Sequence, residues 1–429
     1  MSGELRIAEE FLDTLLRTES STEAELRNYQ AGLLTKLVHH AVANVPFYRA
    51  RAQPPERIDL KSDYWLQQPF MSRRDLMEHN ENLRAREFPR LHGLITTAYT
   101  GGSTGPSARR DLSSLESLAR FVASYRMFKT WDLDQTLALY WLRKPRAPSP
   151  SNYDRWGFPW TAKEKLGPRR SMDIALPAAA QLQFMEGGGP VYVNTLPSNI
   201  LRLAHEASRS NLGLSIPHIV SVAEYLSAEV RQAALAAFGS RIIDIFSSAE
   251  GGVIAVECPD SGLYHIQSEL LLAEIVRDDG EPCREGETGE VVVTPLYNYA
   301  TPLLRYRSGD YVERGPRCSC GRTLPTISRI VGRKQHMFAF PDGRRALPAI
   351  DRVKITEILG HDHWVLAQTG RADAELRIAG PTTRAQETRI LDMSTAALQN
   401  QFQIKLETVD ALPLTSGGKR HFTLNAFDA

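Results

Sequence analysis

An alternation in the middle of the chain constrains the fold most. Ile216 to Val222 is a short apolar run, Ala228 to Phe238 repeats apolar residues at helical spacing, and Ile242 to Phe246 is apolar again. Strand, helix, strand in that order predicts a parallel pair, because a crossover helix returns the chain to the same end of the sheet. Ala138 to Leu142 and the run around Val191-Tyr192-Val193, followed by a helix from about Pro197 to Asn211, extend the pattern backwards. Downstream of Leu263 the rhythm changes. Glu269 to Val276 and Gly289 to Thr294 alternate around turns at Asp278-Asp279-Gly280 and Glu285-Gly286, which predicts an antiparallel or barrel-like β segment.

The rest of the chain reads around that core. Phe11, Leu15 and Leu16, then Leu26, Leu33, Leu34, Leu37, Val38 and Val42, predict two N-terminal helices, the second stopped at Val45-Pro46-Phe47-Tyr48. Leu115 to Lys129 predicts a further helix, and residues 144–170 read as a long surface loop. Arg329 to Arg333 has the character of a joint, dividing a large α/β domain, residues 1–329, from a small mobile α+β domain, residues 330–429. With 429 residues, more than one core is expected. A formal net charge of +1 gives no electrostatic reason for a nucleic-acid partner. No apolar run reaches the roughly 20 residues that cross a bilayer, so no membrane partner is expected. Met1-Ser2-Gly3-Glu4-Leu5-Arg6 lacks an apolar signal core, which predicts a cytoplasmic protein.

Five polar segments carry chemistry. Thr100-Gly101-Gly102-Ser103-Thr104-Gly105 can close backbone N–H groups and hydroxyls on phosphate oxygens, although the same composition also makes plain loops. No Gly-Lys-Ser/Thr ends it, so it is not a Walker loop. Phe246-Ser247-Ser248-Ala249-Glu250 ends an apolar strand with a carboxylate, placed to hold Mg2+ or to be solvated. Arg305-Tyr306-Arg307-Ser308-Gly309-Asp310 ends another with an acid that can accept ribose hydroxyls or simply close a turn. Arg333 follows a glycine, and arginine suits phosphate. Lys419 sits on the Gly/Ser-rich run Thr415-Ser416-Gly417-Gly418, where a cation can reach a polyphosphate or stay in solvent. The four cysteines are too few for a disulfide framework in a chain of this length. Cys258 and His265 lie close together and Cys318-x-Cys320 follows, so three thiolates and one imidazole can complete a closed tetrahedral zinc site; the alternative is free thiols. Cys283 stands apart.

Taken together, these segments resemble the adenylate-forming superfamily, and within it the phenylacetate–CoA ligase-like branch. Val45-Pro46-Phe47-Tyr48-Arg49 resembles that branch's N-terminal segment, and Gly286-Glu287-Thr288-Gly289-Glu290 followed by Arg305 to Asp310 is similar to its most recognisable block. The resemblance implies an AMP-forming acid–thiol ligase. ATP and a carboxylic acid, expected to be aromatic and benzoate-, anthranilate- or phenylacetate-like, would give acyl-AMP, and coenzyme A would then take the acyl group. It implies that Thr100 to Gly105 hold the ATP phosphates and Phe246 and Ser248 line the nucleotide site. Glu250 would ligate Mg2+, Asp310 would bind ribose, and Arg333 would approach the phosphates. Lys419 would reach in from the small domain during adenylation. Structural zinc on Cys258, His265, Cys318 and Cys320 occurs in some relatives, and a homodimer is the implied oligomer.

Two departures stand out. After Arg333 the branch usually carries a pair of aspartates, where this chain has Lys334-Gln335-His336, with Arg344 and Arg345 soon after. This leaves two other readings: an amine or carrier-protein acceptor for the acyl group, and a non-catalytic zinc-stabilised binding protein on the ligase fold. In Ser221-Val222-Ala223-Glu224 the branch's glycine before Glu is replaced by Ala223.

Overall fold

The computed structural model describes residues 3–99, 108–144, 150–156, 166–186, 189–210, 212–361, 363–412 and 422–427. Two helices open the chain, Gly3–Thr18 and Glu23–Asn44. The second starts at a capping box, in which Thr22 and Glu25 satisfy each other's backbone N–H groups, and it ends before Pro46, which has no N–H to continue it. Its buried face, with Leu34, Leu37, Val38 and Ala41, packs into the same core as Phe246, Ile254, Tyr264 and Val291.

One twelve-stranded sheet organises most of the chain. In spatial order its strands are Leu271–Val276, Thr288–Pro295, Tyr306–Arg314, Thr326–Arg333, Tyr264–Ile266, Gly252–Glu257, Arg241–Ser248, His218–Val222, Val191–Thr195, Ala138–Leu142, Arg169–Met172 and Ser151–Tyr153. The strand Arg241–Ser248 is the seam. It pairs parallel with His218–Val222 on one side and antiparallel with Gly252–Glu257 on the other. The predicted alternation is observed as a parallel block, with the helices Pro197–Ser210 and Ala228–Phe238 covering Val193, Ile219 and Ile242. On the other face Ile243 and Ile245 meet Trp131 and Met127 near the end of the helix Ser114–Thr130.

Three expectations change. The antiparallel strands after Leu263 form no separate barrel; their hydrogen bonds continue the parallel block's own sheet, because Gly252–Glu257 turns back directly onto the seam strand. The segment read as a surface loop contains the strands Ser151–Tyr153 and Arg169–Met172, which pair antiparallel at the sheet edge. Arg169 lies over the Tyr153 ring at 4.2 Å, and such a polar edge carries no apolar signature. Arg329 to Arg333 belong to the strand Thr326–Arg333, and the chain leaves the sheet in the turn Lys334–His336.

Beyond that turn a four-stranded sheet forms, in the order Gln403–Val409, Asp373–Ala379, Trp364–Gln368 and Thr423–Asn425. With the helices Arg352–Leu359 and Arg384–Ala397 it buries its own core of Phe338, Trp364, Leu366, Leu376 and Ile390. Among the described residues no helix is long and apolar enough to cross a membrane.

Candidate functional site

The seam strand delivers Glu250 into a tight turn. Ser248 Oγ accepts the Gly251 N–H at 2.8 Å, and Gly252 takes a left-handed φ of +75°, which lets the chain reverse into Gly252–Glu257. Glu250 is only 6% exposed. The Tyr306 hydroxyl donates to its Oε1 at 3.4 Å, and Arg73 Nη1 lies 3.8 Å from the same oxygen. Arg73 opens the short helix Arg73–Glu78, capped by Ser72 and Asp75. Met71 ties that helix to the sheet through the Arg305 carbonyl and the Arg307 N–H. Sequence reasoning missed Arg73. A signal existed, since a cation in the first turn of a helix opposes the helix dipole and asks for a carboxylate nearby.

Asp310 arrives from the neighbouring direction. Its strand, Tyr306–Arg314, pairs with Thr326–Arg333 so that Asp310 stands opposite Arg333, and Arg333 Nε donates to Asp310 Oδ1 at 3.0 Å. Glu290 supports the bend before it, accepting the Gly309 N–H at 3.1 Å and pairing with Arg307 at 2.8 Å. Pairing slips between Glu290 and Val292, a bulge that re-aims the strand. Arg305, buried and left-handed with φ 52°, anchors the strand's start through Glu274 at 2.8 Å and the Leu66 and Gln68 carbonyls at 2.7 Å each. A non-glycine residue held there costs about 1–2 kcal/mol, a cost its neighbours must offset.

The charges in this pocket feel one another. Burial pushes the Asp310 carboxyl above the ordinary carboxylate range; Arg333 opposes that and Glu250 adds to it. The Asp310 charge, more than any other cause, raises the Arg333 guanidinium. Burial, then Glu250, pushes the Tyr306 phenol up. The structure therefore brings Glu250, Asp310 and Arg333 together, with Arg73 and Tyr306 beside them. Phe246 is buried in the adjoining core, and Ser248 closes the Glu250 turn. Thr100 to Gly105 lie outside the described residues; the strands on either side pair, Tyr99 opposite Arg109. Lys419 also lies outside them.

The cysteines converge elsewhere on the same sheet. Cys258 follows the strand Gly252–Glu257, His265 lies in the adjacent Tyr264–Ile266, and Cys318 and Cys320 lie in the connection into Thr326–Arg333. All four donor atoms lie within 4.8 Å of one another. Cys318 Sγ and Cys258 Sγ are 3.8 Å apart, and Cys320 Sγ is 3.3 Å from His265 Nε2. A tetrahedral zinc with Zn–S near 2.3 Å and Zn–N near 2.0 Å separates its ligands by about 3.5–3.8 Å, so the spacing and the donor set both fit zinc. Burial first, then the Arg322 charge, lowers the His265 pKa to about 4, which leaves the imidazole neutral and able to ligate. Burial pushes the Cys320 thiol up to about 11, whereas at Cys318 the burial effect is outweighed by hydrogen bonds from Ser261 and Cys320 and the thiol is lowered. Arg322 and Thr323 fasten this loop to Glu19 at the end of the first helix, at 3.2 Å and 2.7 Å. Cys283, buried elsewhere, takes no part.

No protein-family model matches the chain. It is similar to the phenylacetate–coenzyme A ligase of Thermus thermophilus, with 29% identity over 209 residues; the match covers 46% of this chain and 47% of that protein, about half of each. The phenylacetate–coenzyme A ligase of Aromatoleum evansii is 27% identical over 336 residues, covering 74% of this chain and 73% of the relative. Among solved structures, a 2-hydroxyisobutyryl-CoA ligase in complex with its acyl-adenylate superposes with a TM-score of 0.72 at 18% identity, covering 96% of this chain and 92% of that one. At that identity the likeness is one of fold.

Proposed function

We propose, from the premise that this chain belongs to the AMP-forming acid–CoA ligase family of the adenylate-forming superfamily, that it activates a carboxylic acid with ATP and passes the acyl group to coenzyme A. One observation carries this reading: Glu250, Asp310 and Arg333 converge beside the parallel–antiparallel seam, in one electrostatic pocket. In the first half-reaction a carboxylate oxygen attacks the α-phosphorus, and pyrophosphate leaves. In the second a thiol attacks the acyl carbonyl, and AMP leaves. Activation is needed because a carboxylate is a poor electrophile.

Each residue then has a task. Thr100 to Gly105 hold the phosphates, Asp310 accepts the ribose hydroxyls, and Phe246 and Ser248 line the nucleotide's side of the pocket. Arg333 pairs with Asp310 and approaches the phosphates. Glu250 is the carboxylate that would hold Mg2+, which would supply charge neutralisation at the phosphates. Lys419 stabilises the charge gathering at phosphorus in the first step only. The small unit, residues 330–429, turns about the segment near Arg329 between the two steps, and zinc occupies the Cys258, His265, Cys318 and Cys320 site. The aromatic acid class rests on relatives named for phenylacetate.

The test is pyrophosphate release with ATP and Mg2+ across a panel of aromatic and aliphatic acids, with and without coenzyme A. Release that depends on one acid class, with a thioester detected by mass, is the expected result. Release without a thioester favours an amine or carrier-protein acceptor, the reading that Lys334-Gln335-His336 motivates. No release with any acid, together with no ATP binding by calorimetry, overturns the ligase reading in favour of a non-catalytic binding protein.

A further inference from the structure

A buried cation the sequence reading did not single out stands behind Glu250. Arg110, on the strand Arg109–Ser113, is 1% exposed. Its Nη1 donates to the carbonyl of Ala249 at 2.8 Å, and its Nη2 donates to Glu116 Oε1 at 2.7 Å. Glu116 lies in the first turn of the helix Ser114–Thr130, its N–H held by Ser113 Oγ at 3.2 Å. One turn on, Arg120 Nη2 donates to the same Glu116 oxygen at 2.8 Å and to the Ala249 carbonyl at 3.4 Å. The Arg120 side chain also fills the place of a missing Cβ at Gly252, where an added carbon would meet Nε at 3.1 Å.

Two guanidiniums thus share one carboxylate and close on one carbonyl, that of the residue before Glu250. Such a triad is a poor way to stabilise a fold, because burial of the charges opposes it; desolvation is the largest influence on Arg110 and pulls its pKa down. It leaves one positive charge over, and Glu250 is among the negative groups that Arg110 feels. The strand and helix that bear the clamp follow directly on the Thr100 to Gly105 segment.

We infer that Arg110, Glu116 and Arg120 are positioning residues for Glu250: they lock the Ala249 to Gly252 turn to the strand Arg109–Ser113 and the helix Ser114–Thr130, and so fix the carboxylate that would hold Mg2+. This rests on the proposed role of Glu250. It requires that damage to the clamp act through Glu250 on metal-dependent nucleotide binding rather than through folding.

Arg120→Ala is the informative variant, because Arg120 is partly exposed and the Arg110–Glu116 pair remains. ATP affinity is measured by calorimetry over a range of Mg2+ concentrations, which needs no knowledge of the acid. Groups that orient a metal ligand typically contribute 10–100-fold to metal affinity, so the Mg2+ concentration for half-maximal ATP affinity should rise about tenfold or more in Arg120→Ala, with partial rescue in Arg120→Lys. In a Glu250→Gln background the same substitution should add less than about twofold, because the group it positions is gone. If Glu250→Gln shifts the Mg2+ dependence and Arg120→Ala does not, the clamp is overturned and the role of Glu250 stands. If Glu250→Gln leaves the Mg2+ dependence unchanged, the role of Glu250 falls and the inference with it. An additive effect of Arg120→Ala in both backgrounds reduces the clamp to a structural contact.

Discussion

Two charged clusters lie on the same sheet and resolve their crowding in opposite ways. At the thiol cluster, four donor atoms from three stretches of chain lie within 4.8 Å of one another. Three sulfurs and a neutral imidazole at that spacing suit a metal ion. At the seam, two buried carboxylates already face guanidiniums, Glu250 with Arg73 and Asp310 with Arg333. The first cluster is closed and suits a resident ion. The second is internally compensated, so a ligand can enter only by exchanging partners. The two clusters therefore differ in whether their charges are already matched by neighbouring side chains.

The comparison breaks most visibly at the metal. Protein purified without chelator should carry about one zinc per chain, and Cys318→Ala should lose it with a stability loss of several kcal/mol. Rapid titration of every thiol in the native, metal-free protein would remove the closed site from the comparison. The seam should respond in rate. Lys419→Ala should slow adenylation about 10²–10³-fold while thioester formation from supplied acyl-adenylate survives. Equal loss of both steps in single-turnover assays would reject a lysine that serves only the first.

A third crowded pair sharpens the contrast. Glu229, on the helix Ala228–Phe238 of the large unit, hydrogen-bonds the Asp351 carboxyl at the head of the helix Arg352–Leu359 in the small one. Burial, then the Asp351 charge, pushes Glu229 up to about 7. Its folded value lies above its unfolded one, so the stability it contributes is fully present below the ordinary Glu range. That contribution is lost as pH rises through about 7. Thermal melts from pH 5 to 8 should show a fall in the wild type that Glu229→Gln flattens; parallel curves for the two proteins would refute it. Here a proton held by Glu229 relieves the crowding that guanidiniums relieve at the seam.

Strain gives the smallest effect. The segments bearing the zinc donors have positive φ only at glycine, whereas the seam side holds Ala223 at φ 70° and Arg305 at φ 52°. Ala223→Gly should raise stability by about 0.5–1 kcal/mol, measured by denaturant unfolding, because relief of the left-handed strain exceeds the added freedom of the unfolded chain. A loss of stability would mean that the methyl group packs usefully.

Legibility followed the range of the interactions. Ala228–Phe238 was readable because helical spacing is local, and it forms over those residues. Cys258, His265, Cys318 and Cys320 were readable because soft ligands are rare enough to be grouped by type, and they converge. Glu250, Asp310 and Arg333 were readable only through a family resemblance; nothing in their local sequence requires that they meet. Arg73 and Arg110 were missed because each is defined by a contact with a distant segment, the Glu250 turn, and arginine alone reads as a surface residue. The strands Ser151–Tyr153 and Arg169–Met172 were missed because a polar edge lacks the apolar alternation that marks a half-buried strand.

The most direct test of acid activation at the seam is exchange of labelled pyrophosphate into ATP, with Mg2+ and without coenzyme A. The account predicts exchange that requires a carboxylic acid, vanishes in Glu250→Gln and Lys419→Ala, and is indifferent to coenzyme A. Exchange that proceeds without any acid, or that persists undiminished in both variants, would contradict it.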